Sequence, residues 1–295
     1  MNGNRYVLVT AACNEERYIA RTIESVVSQT VLPKRWVIVS DGSVDNTDGI
    51  VQAYSQQHRF IRLLRISGDH PRNFAAQAKA INRGWKSLQD AEYDFIGNLD
   101  ADVSFEPTYF SDLLGRFRDD PRLGLAGGCI KEDGLSGHYI QTDMTSVPHT
   151  TQFFRRQCFE QLGGYRPLIF GGSDTCACVM ARMNGWKVRL FPDLIVYHRR
   201  PLSSAGGVLE GRIREGRMDY SLGYLPAFEL ARCLRRIKQA PRVVGSFVRC
   251  AGFWSSYIQF RERLVTREYI SFSRREQWRK LYATLRGASS LSESE

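Results

Sequence analysis

Two aspartates separated by one small residue, Asp100-Ala101-Asp102, follow the apolar run Phe95-Ile96-Gly97-Asn98-Leu99. In an extended segment, positions i and i+2 point to the same side. Two carboxylates facing one point hold a hard cation such as Mg²⁺ or Mn²⁺, directly or through water. A cation held there bridges a diphosphate and neutralises the charge that builds on it as it leaves. An Asp-x-Asp alone is weak evidence, because such pairs also make solvated turns and helix caps. Its place after a buried-looking strand gives it weight. Two further acidic clusters stand in comparable places: Asn14-Glu15-Glu16 after the run at residues 6–11, and Asp41-Gly42-Ser43 after the run at 36–40.

The elements that must position these groups are legible as alternating patterns. Apolar, β-branched runs at 6–11, 36–40, 60–66 and 93–98 read as strands. Between them, Ile19, Ile23, Val26 and Val27 recur at helical spacing within 16–29. A helix start at Asp45-Asn46-Thr47 precedes 49–57, and apolar positions 74, 78, 81, 85 and 88 make a third helical face. Strand–helix alternation with short connections predicts an α/β fold, a mostly parallel sheet with helices on both faces. Ligands in such sheets sit beyond the C-terminal strand ends. There the acidic clusters meet, and their burial together is costly unless a cation or hydrogen-bond donors compensate, as a bound divalent metal and the hydroxyl and N–H groups of a nucleotide would. Beyond residue 125 the pattern loosens, with Gly and polar residues prominent over 127–148. A helix at 173–184, a strand at 187–191 and Val196-Tyr197-His198 follow.

The sequence from 6 to 102 resembles the nucleotide-binding half of family 2 glycosyltransferases, which have the GT-A fold. The matching pieces are V-T-A-A-C-N-E-E, V-I-V-S-D-G-S-V-D-N-T and N-R-G…D-F-I-G-N-L-D-A-D before a helix at Pro107. The likeness runs on through Gly171-Gly172-Ser173-Asp174 to His198. It implies an inverting, metal-dependent hexosyltransferase that uses a nucleotide-diphosphate sugar, by default a UDP-sugar. It further implies that Ala11 and Glu15 line the base and ribose pocket, that Asp41 contacts the base, and that Lys79 lies near the base or diphosphate. Asp100 and Asp102 would serve the diphosphate and the metal, and His198 would complete the metal shell, as in some relatives. Asp174 would be the base that takes the acceptor hydroxyl's proton. Ser173 stands where relatives often carry a second acid, which removes a contact but keeps the base. Asp143 and Asp133 are weaker choices for it, and Arg72 is a candidate for reaching a phosphate. Each residue also has a plainer role open to it: Glu15 in a first helical turn, Asp41-Gly42 as a tight turn, Lys79 on a solvated face, Asp174 as a helix cap, His198 packed at a strand end.

Charge separates the chain into a domain at 1–207 and a basic helical region at 208–295. Residues 211–295 carry 17 Lys and Arg against 8 Asp and Glu, nearly all of the chain's net charge of +10. One apolar stripe there is Ala227, Leu230, Cys233, Leu234 and Ile237, with Arg232, Arg235, Arg236 and Lys238 opposite. A second is Val243, Phe247, Cys250, Trp254, Tyr257 and Ile258. Basic amphipathic helices with aromatics suit an anionic membrane surface; packing on the catalytic domain or on another subunit is the alternative. Residues 1–5 lack the apolar core of a leader, and no run reaches the ~18 apolar residues of a membrane span. Seven scattered cysteines read as reduced thiols, with Cys176 and Cys178 as buried helix residues rather than metal ligands. The chain is thus expected to be cytoplasmic, peripheral on the inner face of the membrane, and to use a saccharide or lipid-linked acceptor in bacterial surface polysaccharide or glycolipid synthesis. Two alternatives fit less well. A sugar-phosphate nucleotidyltransferase would carry a Gly-rich basic loop where A-A-C-N-E-E stands, and a basic nucleic-acid-binding protein would show a nucleic-acid motif.

Overall fold

A computed structural model describes residues 5–67, 74–132, 143–198, 207–238 and 241–286. Arg72, Asp133 and most of the Gly/Ser-rich stretch at 202–207 lie outside the described residues. The chain divides into two units, Met1–Ile169 with Ser173–Leu202, and Phe170–Gly172 with Ser203–Glu295.

The first unit runs β1 (Tyr6–Ala12), α1 (Ile19–Val27), β2 (Arg35–Asp41), α2 (Thr47–Gln57), β3 (Ile61–Ile66), α3 (Phe74–Lys86), β4 (Phe95–Asn98), β5 (Val103–Phe105), α4 (Tyr109–Asp119), β6 (Leu123–Glu132), β7 (Phe153–Arg155), α5 (Arg156–Leu162), α6 (Ser173–Met183) and β8 (Lys187–His198). A 3₁₀ turn, His149–Thr151, precedes β7. The eight strands form one sheet in the order β3-β2-β1-β4-β7-β6-β8-β5. β3, β2, β1 and β4 are parallel, as the strand–helix alternation requires. Beyond β4 the sheet is mixed: β7 is antiparallel to β4 and β6, β8 is parallel to β6, and β5 is antiparallel to β8.

The long apolar runs of β1 and β2 follow from burial on both faces. Tyr6, Leu8, Trp36 and Ile38 join a core with α1, α2 and α4, while Val7, Val9, Val37 and Val39 join a second core with α3, α5 and α6. Helices therefore cover both faces, one set to each core.

Two expectations need correction. The stretch from Gly127 is not loose at its start, because β6 continues to Glu132. Its glycines serve close packing: a Cβ on Gly128 would lie 2.2 Å from the Leu194 carbonyl oxygen. The segments 187–191 and 196–198 are also one strand, β8. Pro192 hides this, since it cannot donate to a ladder. The ladder passes from Gly128–Phe191 to Cys129–Ile195, leaving Pro192, Asp193 and Leu194 as a bulge.

The second unit contains α7 (Val208–Ser221), α8 (Pro226–Arg235), α9 (Val244–Ile258) and α10 (Arg267–Leu285). α7 and α9 approach at backbone distance: a Cβ on Gly216 would strike the Arg249 carbonyl oxygen, and one on Gly252 would lie 2.3 Å from that of Ile213. Beside this contact Arg249, 2 % exposed, binds Glu215, Asp219 and Glu229, and Arg232 also reaches Asp219 and Glu229. Leu230, Leu234 and Ile237 are exposed on α8 while Cys233 is buried, so that stripe is not a packing face.

Candidate active site

The catalytic-looking edge is assembled by two interlocked loops and one anchored turn. Asn14 follows β1 with φ of 58°, a conformation asparagine tolerates well. Its side-chain oxygen accepts from Val44 N–H, and its own N–H donates to Ser43 Oγ. Glu15 N–H donates to Thr47 Oγ1 at 2.7 Å, and Glu16 accepts from Asn46 N–H. The loops after β1 and β2 thus hold one another, with half-buried Ala11, Glu15 and Asp41 at their base. Asp41 Oδ1 is buried with no hydrogen-bond partner among the described residues. An orphaned buried carboxylate oxygen is costly, and a ligand N–H would satisfy it.

The Asp100-Ala101-Asp102 segment is a turn between β4 and β5 and not the extended pair expected from its spacing. What brings its carboxylates together is anchoring from α1. The Thr22 hydroxyl lies 2.8 Å from both the Ala101 and Val103 carbonyl oxygens and accepts from Val103 N–H at 3.2 Å. Ser25 serves Phe105 in the same way, accepting from its N–H and donating to its carbonyl. Side chains of one helix thus do the work of a neighbouring strand on the free edge of β5. On the other edge, antiparallel pairing sets Val103 opposite His198. That register carries Asp102 to the histidine, with Oδ1 3.5 Å from Nε2 and both residues buried.

Asp100 is held from two other elements. Its Oδ1 accepts from Gln77 of α3 at 3.1 Å, and its Oδ2 from the Thr150 hydroxyl of the 3₁₀ turn at 2.8 Å. His149 Nδ1 lies 3.6 Å away. Burial alone would raise the Asp100 carboxyl, but His149 and Thr150 outweigh it and hold the group below the usual carboxylate range. Burial likewise would lower the His149 imidazole, but Asp100, with Asp174 beyond it, holds it above its ordinary value.

Asp174 sits in the first turn of α6, half-buried. Its carboxylate accepts from Thr175 N–H, and buried Gln152 donates to its carbonyl oxygen and accepts from Tyr165 OH. The Tyr165 phenol is raised well above its usual value by burial, with the charges of Asp174 and Asp100 adding to it. The charges of Asp174 and Asp100 are thus both felt at His149 and Tyr165.

One potential metal centre emerges among the described residues: ligand atoms of Asp100, Asp102 and His198 lie within 4.8 Å of one another. Two carboxylate oxygens and an imidazole nitrogen are a donor set that suits Mn²⁺. Lys79 is exposed on α3, two residues from Gln77 and so on the other side of the helix. Asp143 is occupied within its own turn by Thr145. Cys176 and Cys178 are buried in α6, their thiols pushed up to about 12 by burial. Gln77, His149, Thr150 and Gln152 escaped the sequence reading, because no spacing ties them to the aspartates they hold.

Comparison with known proteins agrees with this architecture. The profile described as Glycosyl transferase family 2 matches residues 7–183. The chain is 29% identical over 236 residues to poly-beta-1,6-N-acetyl-D-glucosamine synthase of Staphylococcus epidermidis, covering 69% of this chain and 52% of that protein. It is 24% identical over 213 residues to a probable glycosyltransferase, YdaM, of Bacillus subtilis, covering 64% of this chain and 49% of that one. The chain thus spans about half the length of the curated relatives it matches. Among solved structures it resembles S. aureus TarS 1-349 in complex with UDP, with a TM-score of 0.56 and 15% identity over 87% of this chain and 92% of that one. It also resembles the mannosyltransferase PcManGT of Pyrobaculum calidifontis in complex with GDP-Man and Mn²⁺, with a TM-score of 0.57 and 15% identity over 97% and 83%. At that identity the structures show the fold, which is GT-A. A parallel half-sheet ending in interlocked acidic loops, a profile match over more than half of the sequence and GT-A neighbours converge: this chain belongs to glycosyl transferase family 2.

Proposed function

We propose that this chain is a metal-dependent, inverting hexosyltransferase that moves a sugar from a nucleoside-diphosphate donor, a UDP-sugar by preference, to a hydroxyl of a saccharide or lipid-linked acceptor in bacterial surface polysaccharide or glycolipid synthesis. The observation that carries this reading is the gathering of Asp100, Asp102 and His198 at the end of the parallel half-sheet. Asp102 and His198 would hold Mn²⁺ or Mg²⁺, and Asp100, fixed by Gln77 and Thr150, would face the same point. A divalent cation there supplies charge neutralisation for the departing diphosphate. Ala11 and Glu15 flank the base and ribose, and Asp41 Oδ1 accepts an N–H of the base, which answers its lack of a partner. Lys79 has no part in this reading, because it lies away from the α3 face that meets Asp100. TarS with UDP-GlcNAc and PcManGT with GDP-Man support the donor class, and the poly-N-acetylglucosamine synthase supports an N-acetylhexosamine.

In the transfer, the acceptor oxygen bonds to the anomeric carbon as the bond from that carbon to the diphosphate oxygen breaks on the opposite face. The acceptor proton passes to the Asp174 carboxylate. The Gln152 hydrogen bond to the Asp174 backbone fixes where that carboxylate starts. A donor panel with Mn²⁺ or Mg²⁺, read by nucleoside diphosphate release and by thermal stabilisation, tests the reading. One UDP-sugar should stabilise the protein only with metal, Asp102→Ala should lose that stabilisation, and Asp174→Asn should keep it while losing turnover. Donor stabilisation that survives chelation and Asp102→Ala would refute the metal assignment, and wild-type turnover in Asp174→Asn would refute the base.

A further inference from the structure

The helices of the second unit are inverted in polarity. In α9 the lone charged residue, Arg249, points inward and is 2 % exposed, with Gly245, Gly252, Phe253 and Ser256 buried beside it. The outward stripe is Val243, Phe247, Ala251, Trp254 and Ile258, spaced by three and four, and it carries no charge. Phe247 is 74% exposed and Ile258 77% exposed. α8 repeats the arrangement: Glu229 is 1% exposed, while Leu230 and Leu234 face outward. A soluble surface helix places these groups the other way round. Contiguous exposed apolar surface of this kind marks a docking face.

Charge identifies what docks. The internal cluster takes up Glu215, Asp219 and Glu229 with three arginines, Arg212, Arg232 and Arg249. The cluster is balanced within itself, so the whole basic excess of residues 211–295 lies outside it. Exposed Arg235, Lys238, Arg242 and Arg261 flank the apolar stripes in sequence, at the end of α8 and on either side of α9. An apolar, aromatic-bearing stripe between cations matches the boundary of an anionic bilayer: acyl chains take Phe247 and Ile258, the headgroup level takes the Trp254 ring, and anionic headgroups take the flanking cations. A second copy of the chain would bring the same basic flanks against themselves. At 15 residues α9 is about 22 Å long, short of the roughly 30 Å hydrocarbon core, and no helix among the described residues is long and apolar enough to cross a membrane. We infer that the exposed face of α8 and α9 lies in the plane of an anionic membrane surface, with α9 as the inserted element. This holds whether or not the donor and base assignments above are right.

Flotation of the full chain with vesicles of phosphatidylglycerol and phosphatidylcholine, against phosphatidylcholine alone, tests it. The protein floats with the anionic vesicles, and salt weakens the association. Phe247→Ser with Ile258→Ser lowers lipid partitioning by at least about tenfold while leaving the thermal midpoint unchanged, since both side chains are exposed. Lys238→Gln with Arg242→Gln flattens the salt dependence, and brominated lipid quenches tryptophan emission less in Trp254→Phe. Absence of flotation with anionic vesicles overturns the inference, as does flotation indifferent to Phe247→Ser with Ile258→Ser. Self-association without lipid binding, abolished by the same pair, overturns it in favour of a second copy.

Discussion

The anchoring of the aspartate turn by α1 makes a sharp prediction for Thr22→Val. Valine has nearly the shape of threonine, so the substitution leaves no cavity and removes only the hydroxyl. That hydroxyl accepts from Val103 N–H and donates between the Ala101 and Val103 carbonyls, in a place where Thr22 and Val103 are both 0% exposed. The Val103 N–H is then buried without its partner, at a cost of about 1–3 kcal/mol. A loss near 2 kcal/mol lowers the thermal midpoint by roughly 4–8 °C for a unit of this size. Because Asp100 and Asp102 flank Ala101, part of the loss appears as displacement of the turn. The concentration of Mn²⁺ needed for activation or stabilisation then rises several-fold, bounded by about thirtyfold if all of that energy were spent on the site. Thr22→Ser keeps the hydroxyl and holds both quantities near wild type. Paired measurements of denaturant unfolding and Mn²⁺ titration decide the matter. A Thr22→Val protein within about 0.5 kcal/mol of wild type, with an unchanged Mn²⁺ response, would show that the helix does not position the turn.

Gly128→Ala places a Cβ 2.2 Å from the Leu194 carbonyl in the β8 bulge, so either β6 or the strand bearing His198 must shift; the expected result is lower stability together with weaker Mn²⁺ stabilisation, read by thermal unfolding with and without metal. Arg249→Met leaves Asp219 and Glu229, 0% and 1% exposed, to Arg232 alone and should cost about 3–5 kcal/mol in denaturant unfolding; a loss under about 1 kcal/mol would contradict the cluster's role. Burial, followed by the charge of Asp219, pushes the Glu229 carboxyl up to about 7, against the pull of Arg249 and Arg232. The folded protein therefore binds more protons than the unfolded chain between about pH 4.5 and 7, and stability falls as pH rises across that window, by on the order of 3 kcal/mol. Unfolding free energies at pH 5 and pH 8 should differ more in the wild type than in Glu229→Gln, and equal differences would remove Glu229 from the account.

The parallel half of the fold was legible because its signals are local. β1 and β2 are apolar on both faces, the connecting helices show their period, and acids follow β1, β2 and β4. The remainder is built from contacts that no local pattern encodes. β6 reads as loop because its glycines are chosen for the closeness of Leu194 and Thr151, and β8 reads as two pieces because Pro192 sits in a bulge. The aspartate pair was found for a reason that proved incomplete. Its residues occupy a turn, and their convergence with His198 comes from the β5–β8 register and from α1. Thr22, Ser25 and Gln29 are the polar buried counterpart to the apolar stripe of α1, a second periodic face that a search for hydrophobic spacing passes over.

The second unit shows a related limit of pattern reading with an opposite outcome. Periodicity states that two faces of a helix differ; it does not state which face is inward. The inward face of α9 is settled by backbone approach: Gly216 and Gly252 allow α7 and α9 to touch, and only a face of small residues can do so. Arg249 lies on that same face and is buried with it, and a buried guanidinium requires acids from neighbouring helices, which Glu215, Asp219 and Glu229 provide. Once the ions are committed inward, the stripe bearing Phe247, Trp254 and Ile258 has no side left but the outer one. The exposed apolar face is thus a consequence of the internal ion cluster. Arg249→Met should on this account disturb lipid association only to the extent that it loosens α9, whereas Phe247→Ser with Ile258→Ser should abolish it in a fully folded protein. Comparing flotation with unfolding midpoint across both variants separates the two, and equal lipid loss at equal stability would break the link between cluster and face.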